Sequence, residues 1–273
     1  MKIECLASSS SGNCYFVQFD NSASVLLEAG ISVPEIKKKM FNRGLSLANV
    51  DAVLITHDHQ DHSRSAERLS RREFLKIWGN SLCCTKNELL EPLKSKWISS
   101  KLQVVPFAVE HDAVDSLGYV LIAGKETLLF VNDCKYFKAD IYSIPFDVIM
   151  IECNYSAKIV HTLHGQAQKE EDKTLIKRYE RLLNSHMSDR NCLKILKKMN
   201  LSKCKGVFLM HLSDAHSNEH EFKIEFQKEL HVPVYICKKQ GGILWWKNKL
   251  SKGSMTLTLN NGSYITGLLV KKS

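Results

Sequence analysis

The chain predicts an α/β fold, and three features of its sequence predict it. Short β-prone runs alternate with segments that carry helix caps and helical periodicity. The apolar run at 51–56, DAVLIT, fits a strand buried on both faces. Histidine and aspartate residues follow several apolar runs directly, at strand ends, where open α/β sheets place ligand sites.

Taken in order, KIECLA (2–7) and CYFVQF (14–19) read as strands around the loop SSSSGN, and SVLLEAG (24–30) follows a polar turn. Ser32 and Pro34 open a helix over VPEIKKKMFNRG, which Gly44 ends. After the strand DAVLIT, SAERLSRREFLKIW (65–78) reads as a helix. LQVVPFAV, GYVLIAG, ETLLFVND and DVIMIECN read as strands, and 165–185 is rich in helix formers and charge. Ser188 caps a helix over DRNCLKILKKMN. GVFLMHLS is a buried strand, NEHEFKIEFQKEL a helix, and VPVYICKK the last element of the main pattern. In the tail, two alternating segments flank Asn260-Asn261-Gly262, the chemistry of a tight hairpin turn. The expected organisation is a main domain over 1–240 and a β-hairpin extension over 241–273.

The composition, 44% apolar and 25% charged over 273 residues, is that of a globular protein able to bury a sizeable core. No apolar run approaches the length of a membrane span, and MKIECLASSSSGN lacks the pattern of a secretion signal, so a soluble, cytoplasmic protein is expected. Nine scattered cysteines without a CxxC pair form neither a disulfide framework nor a zinc ribbon. A formal charge of +9 suits a polyanionic partner such as nucleic acid, and equally a lysine-rich solvated surface.

The densest chemistry lies at 55–62, ITHDHQDH. Unpaired imidazoles and carboxylates are costly in a core, and imidazole nitrogen with carboxylate oxygen suits Zn²⁺, Mn²⁺ or Fe. His57 and His59 can share one cation, and Asp61 and His62 face a neighbouring position. Two adjacent cations explain so compact a cluster better than one, and such pairs hydrolyse phosphate esters. His111, Asp133 and His211 each follow an apolar strand-like run and supply candidates for the missing ligands; a carboxylate such as Asp133 can bridge two cations.

HxHxDH, followed by a histidine, a strand-end aspartate and a late histidine, resembles the metallo-β-lactamase superfamily. LASSSSGNCYFVQF, LLEAGIS, ITHDHQDHSR, VEHDA, VNDCKYF, IECNYS, RYERLLNSHMS and HLSDAHSN resemble its bacterial YycJ/WalJ group over roughly residues 1 to 240. The resemblance implies an αββα sandwich, with His57, His59 and His111 on one metal, Asp61, His62 and His211 on the other, and Asp133 bridging. It implies a metal-dependent phosphodiesterase akin to ribonuclease Z, acting on nucleic acid as a 5′-to-3′ exonuclease. The related anti-Pycsar phosphodiesterases of phages, which cleave cyclic nucleotides, supply an alternative, and a catalytically inactive nucleotide-binding protein is a third reading. Asp61 would orient or deprotonate the attacking water, and His186, in NSHMSD, would serve the leaving oxygen. Asn154, Ser156, Lys177 and Arg178 are candidate substrate contacts, with Arg181 four residues from Lys177 on one helical face. Relatives often form dimers, so a homodimer is an expectation. Two departures stand out: Glu28 replaces the aspartate usual after the third strand, and the first loop is serine-rich rather than glycine-rich.

Overall fold

The computed structural model describes residues 1–242 in full and, beyond them, the backbone at 244–247, 254–258 and 264–268. The strands of the first half are β1 (Lys2–Ala7), β2 (Cys14–Gln18), β3 (Ser24–Leu27), β4 (Ala52–Leu54), β5 (Ile77–Trp78), β6 (Lys96–Ser99), β7 (Leu102–Glu110), β8 (Leu117–Ala123) and β9 (Glu126–Val131). The remainder are β10 (Tyr136–Phe137), β11 (Val148–Glu152), β12 (Val207–Met210), β13 (Val234–Ile236), β14 (Leu244–Lys247), β15 (Ser254–Thr258) and β16 (Tyr264–Leu268). The helices are α1 (Val33–Phe41), α2 (Gln60–Ser63), α3 (Ala66–Glu73), α4 (Ala157–Lys169), α5 (Lys173–Ser185), α6 (Asp189–Leu196) and α7 (Glu219–Leu230).

Two mixed sheets face each other. One runs β16-β15-β14-β1-β2-β3-β4-β5, the other β10-β7-β8-β9-β11-β12-β13, with β6 also on β7. Alternation along each strand assigns its side chains to two cores. Val25, Leu27 and Leu54 of the first sheet share the central cluster with Tyr119, Leu128, Phe130 and Met150 of the second. Their neighbours turn outward: Leu26 and Val53 meet Ile36 and Met40 of α1 and Leu69 of α3. Leu129, Ile151 and Leu209 meet Leu196 of α6 and Phe222 and Phe226 of α7. The result is the four-layer αββα sandwich, and it explains why these strands read as unbroken apolar runs.

The caps behave as the sequence dictates. Ser32 Oγ accepts from Glu35 N–H, Ser188 Oγ from Asn191 N–H and Asn218 Oδ1 from Glu221 N–H. Two elements depart from expectation. The helix expected over 65–78 stops at Glu73, where Phe74 turns left-handed at φ 57°, and Ile77 and Trp78 pair in parallel with Val53 and Leu54. Backbone bonds Val53 N–H to Lys76 O and Ile55 N–H to Trp78 O, both 2.9 Å, outweigh a little more than one further helical turn. Likewise the helix formers noted at 165–185 fall in two helices, with α4 beginning earlier at Ala157: Asp172 Oδ1 accepts from Thr174 and Leu175 N–H and starts α5 anew. This α4–α5 arm carries its own small core of Tyr155, Val160, Ala167 and Tyr179.

In the tail, β15 and β16 pair antiparallel, with Thr256 opposite Thr266, and β14 joins them to β1. The turn expected at Asn260-Asn261-Gly262 lies outside the described residues. No described helix is long and apolar enough to cross a membrane, and all nine cysteines are free thiols.

The strand starts of the second sheet are fastened by Asp147. Its buried carboxylate lies 2.6 Å from Lys203 Nζ and accepts from Thr127 N–H at 3.0 Å, and Lys205 pairs with its other oxygen. Burial pushes this carboxyl up, but the two lysines outweigh it and its pKa lies below the usual carboxylate range. Asp147→Asn is therefore expected to cost about 1–2 kcal/mol, the lower end of a charged pair because both lysines are partly solvated. A depressed folded pKa contributes stability above the unfolded value of about 3.9 and loses it as pH falls through the folded value. Urea unfolding of both proteins from pH 7 to pH 2.5 checks this: the difference between them closes at the acid end.

Candidate metal centre

Strand direction assembles the site. β3, β4 and β5 run parallel, as do β9, β11, β12 and β13. β7 reaches β9 through two antiparallel steps and so points the same way. The C-terminal ends of these strands therefore deliver Glu28, His57, His111, Asp133, Glu152 and His211 to one edge. Between the sheets, the short helix α2 brings in Asp61 and His62. Its approach is close: a Cβ on Gly30 would stand 1.6 Å from Asp61 O, and Asn13 N–H and Ala29 N–H donate to Asp61 O and His62 O at 2.7 Å. Only glycine fits at position 30.

The seven sequence-predicted ligands form two adjoining groups, His57/His59/His111 and Asp61/His62/Asp133/His211, each with ligand atoms within 4.8 Å of one another. Asp133 lies between them. Its Oδ2 stands 3.2 Å from His62 Nε2, 3.7 Å from His111 Nε2 and 4.0 Å from His57 Nε2, and its Oδ1 lies 3.2 Å from His211 Nδ1. Asp61 Oδ2 is 3.2 Å from His62 Nε2 and 3.6 Å from His211 Nε2. Asp133 and His211 both hold left-handed backbone, at φ 43° and 54°, a conformation that costs about 1–3 kcal/mol for a residue with a side chain and clusters at functional sites.

The donors fit divalent cations. His57 Nε2, His111 Nε2, His211 Nε2 and Asp133 Oδ1 are buried without a hydrogen-bond partner, an expense that a protein bears where something else satisfies them. Burial, reinforced by His62, pushes the His57 imidazole down to about 2, so its facing nitrogen is a bare lone pair. Burial opposes charge on Asp61, but the neighbouring His211 and His62 imidazoles hold its carboxyl well below the carboxylate range. Burial also opposes charge on His62 and His211, but Asp133 outweighs it, and His211 is pushed up to about 10. Protons occupy there the place of positive charge that a cation takes when it binds. Nitrogen and carboxylate donors in this number suit a divalent ion of the zinc or manganese kind.

Around the ligands lies a layer that sequence reasoning missed. Glu152, wholly buried at the end of β11, takes His186 Nδ1 at 2.6 Å, approaches His211 Nδ1 at 3.4 Å and accepts from Cys134 and Met187 N–H. A charged residue ending an apolar run was the signal for Asp133, and the same signal marks Glu152. His186 stacks on His211, with ring centroids 5.3 Å apart; burial opposes its charge, but Glu152 raises its pKa. Asn13, in the polar first loop, reaches His62 Nε2 at 3.3 Å and gave no signal in sequence. Asp112 bonds Arg181 Nε at 2.7 Å and ties α5 to the His111 loop.

A cleft of about 630 Å³ opens over the cluster, lined among others by His59, Asp61, Asp133, His186, Lys177 and Arg178. Arg181 also lines it. Asn154 reaches the cleft, but its amide donates to His211 O at 2.8 Å and lies 3.0 Å from His211 Nδ1, which makes it a buttress of that histidine. Ser156 is not among the lining residues: it precedes α4, and its N–H donates to His216 O.

A family model described as the metallo-beta-lactamase superfamily matches residues 9–82, and the sandwich with the His/Asp cluster at its edge agrees with that likeness. The fold aligns with the metallo-β-lactamase-fold protein YhfI from Bacillus subtilis at a TM-score of 0.66, with 18% identity over 90% of this chain and 99% of that one. In sequence the chain is similar to the exodeoxyribonuclease WalJ of Streptococcus pneumoniae serotype 2, 23% identical over 234 residues, covering 73% of this chain and 86% of that protein. It is also similar to an anti-Pycsar protein of Paenibacillus harenae, 29% identical over 127 residues, covering 44% of this chain and 51% of the other.

If the orphaned donors hold cations, Zn²⁺ added to chelator-treated protein raises the thermal midpoint. A thousandfold excess over Kd is worth about 4 kcal/mol per site, or about 8–16 °C for a domain near this size. Asp133→Ala is expected to abolish most of that rise in a differential scanning measurement.

Proposed function

We propose that this protein is a two-cation phosphodiesterase that hydrolyses phosphodiester bonds in nucleic acid as a 5′-to-3′ exonuclease. The observation that carries the reading is the doubled donor set around Asp133, lying in one cleft with the cationic side chains of α5. His57, His59 and His111 would hold one cation and Asp61, His62 and His211 the other, with the Asp133 carboxylate shared; zinc and manganese suit these donors. Two such ions supply Lewis acidity, lowering the pKa of water and neutralising phosphoryl charge.

The chain's own residues do the rest. Asp61, ionised and a fifth exposed, orients the attacking water and accepts its proton. His186, held at Nδ1 by Glu152, turns its remaining nitrogen to the cleft and donates a proton to the leaving oxygen. Lys177 and Arg178 contact phosphate groups flanking the scissile one. Both lie in the cleft wall, and neither forms an ion pair among the described residues. A polymer brings several phosphates to this wall, whereas a cyclic mononucleotide brings one.

A second reading, a phosphodiesterase for small cyclic nucleotides, draws support from the cleft volume, which is that of a small-molecule pocket, and from the similarity to an anti-Pycsar protein. Metal-loaded protein incubated with 5′-phosphorylated DNA and, separately, with cyclic mononucleotides decides between them: faster turnover of the DNA is expected, and turnover of the cyclic substrates alone selects the second reading. His59→Ala and Asp61→Ala are expected to stay folded by circular dichroism while losing more than about 10²-fold in kcat/KM on the preferred substrate. His186→Ala is expected to lower kcat by about 10²–10³-fold with a smaller effect on KM. Full activity in either ligand variant refutes the assignment.

A further inference from the structure

The serine-rich loop between β1 and β2 bounds one side of the cleft. Ser9 O accepts Gly12 N–H at 3.0 Å, which closes a tight turn with Ser10 and Ser11 at its exposed tip. The base of the turn is fastened to the ligand loops. Asn13 Oδ1 accepts Ser9 N–H at 3.2 Å, Asn13 Nδ2 donates to Asp61 O at 3.3 Å, and Ser8 Oγ accepts His211 N–H at 2.8 Å. The tip is thus held in a fixed place beside the cluster. Ser11 Oγ lies 2.8 Å from Ser9 Oγ, and the Ser10 hydroxyl has no partner among the described residues.

Two cavities meet at Ser10. One is the cleft over the cluster. The other, of about 200 Å³, is lined by Ser9, Ser10, Ser11, Leu212, Asp214 and Lys239. Ser213 lines the cleft, while its neighbours Leu212 and Asp214 line the second cavity. The segment after β12 therefore forms the opposite bank of a depression that continues past Ser10. Its chemistry suits a sugar-phosphate chain: hydroxyl donors and an ammonium for phosphate oxygens, and an apolar side chain for a sugar. Lys239 Nζ lies 2.6 Å from Asp214 Oδ2, but the two side chains are 51% and 66% exposed. A pair so solvated is weak, and a phosphate can take Lys239 from it.

We infer that the Ser10 tip and the cavity beyond it carry the downstream part of a single-stranded nucleic acid whose 5′ end lies at the metal centre. The inference rests on the nuclease reading above and adds a binding site outside the cleft. With the first nucleotide held against α5, the strand passes over Ser10, and the phosphate that follows the scissile one reaches Lys239. A cyclic mononucleotide has no second phosphate to place there. Serine at the tip supplies donors that glycine lacks, which gives the composition of this loop a purpose. Ser10, Ser11 and Lys239 bind the strand; none touches the reacting atoms.

Chain length separates the two sites. The probes are 3′-labelled, 5′-phosphorylated oligothymidylates of two and six residues. Binding is read by fluorescence polarisation in excess chelator, where no strand is cut. Wild type is expected to bind the hexanucleotide more tightly than the dinucleotide, which has no phosphate beyond the scissile one. Lys239→Ala is expected to weaken hexanucleotide binding by about 10-fold, the loss of one charged contact. It is expected to lower the salt slope by about 0.7 and to leave the dinucleotide unchanged. Asp214→Asn frees Lys239 and removes a like charge from the path, so it is expected to tighten the hexanucleotide by about threefold. An ion pair that serves structure alone gives both variants the same sign. Lys239→Ala that leaves hexanucleotide binding unchanged or weakens both lengths equally, or Asp214→Asn that weakens it, overturns the path. Zinc-loaded wild type that hydrolyses cyclic mononucleotides and no DNA overturns the nuclease reading itself, whereas DNA hydrolysis with length-independent binding overturns only the path.

Discussion

The structure is organised around the electrostatics of one buried carboxylate. Asp133 is 3% exposed at its side chain, and four imidazole nitrogens stand within 4.0 Å of it. Burying a charge is expensive unless it is paired, and burying lone pairs beside it adds to the expense. The edge of the sandwich is stable in this form only if positive charge resides there. Protonated histidines can supply it, and so can divalent cations. Much of the surrounding architecture serves to hold these groups together against their mutual desolvation.

Two devices do this. The first is backbone: Glu28, Asp133 and His211 all leave their strands with left-handed φ, turning each side chain sharply from strand axis to cluster. Each turn is held by hydrogen bonds from another loop, as where His211 N–H donates to Ser8 Oγ at 2.8 Å. The second is a layer of carboxylates one step removed from the cleft. Glu28 lies under the first sheet's histidines and Glu152 under the second sheet's, and each touches two imidazoles either directly or through a hydroxyl. Ligands so braced lose little freedom when a cation binds, which is how outer partners raise affinity.

The α4–α5 arm adds a different property to the same edge. It has its own apolar cluster and meets the ligand loops through the Arg181–Asp112 pair and the bond between His111 Nδ1 and Ser185 O, 2.8 Å. Its position converts an open metal edge into a cleft with one cationic wall. The ligand cluster and the cationic wall thus lie on separate elements, the first on strand ends and the second on a helical pair.

Local signals in the sequence determined a good deal. Caps at Ser32, Ser188 and Asn218 work over three residues and are legible as such. ITHDHQDH is legible because its ligands lie within one short turn, and Asp133 and His211 because a polar residue ending an apolar run has little structural reason to be there. Tertiary structure alone decided what depends on partners distant in the chain. Ile77 and Trp78 became a strand because β4 offered a ladder. Glu152 acquired its role because His186 and His211 arrived from 34 and 59 residues away. Glu28, noted in sequence only as an unusual residue, meets Thr56 and His62 only through the fold. Sequence spacing encodes which groups can share a turn; which groups share a buried edge follows from strand direction and sheet order, and those are set by packing the whole chain.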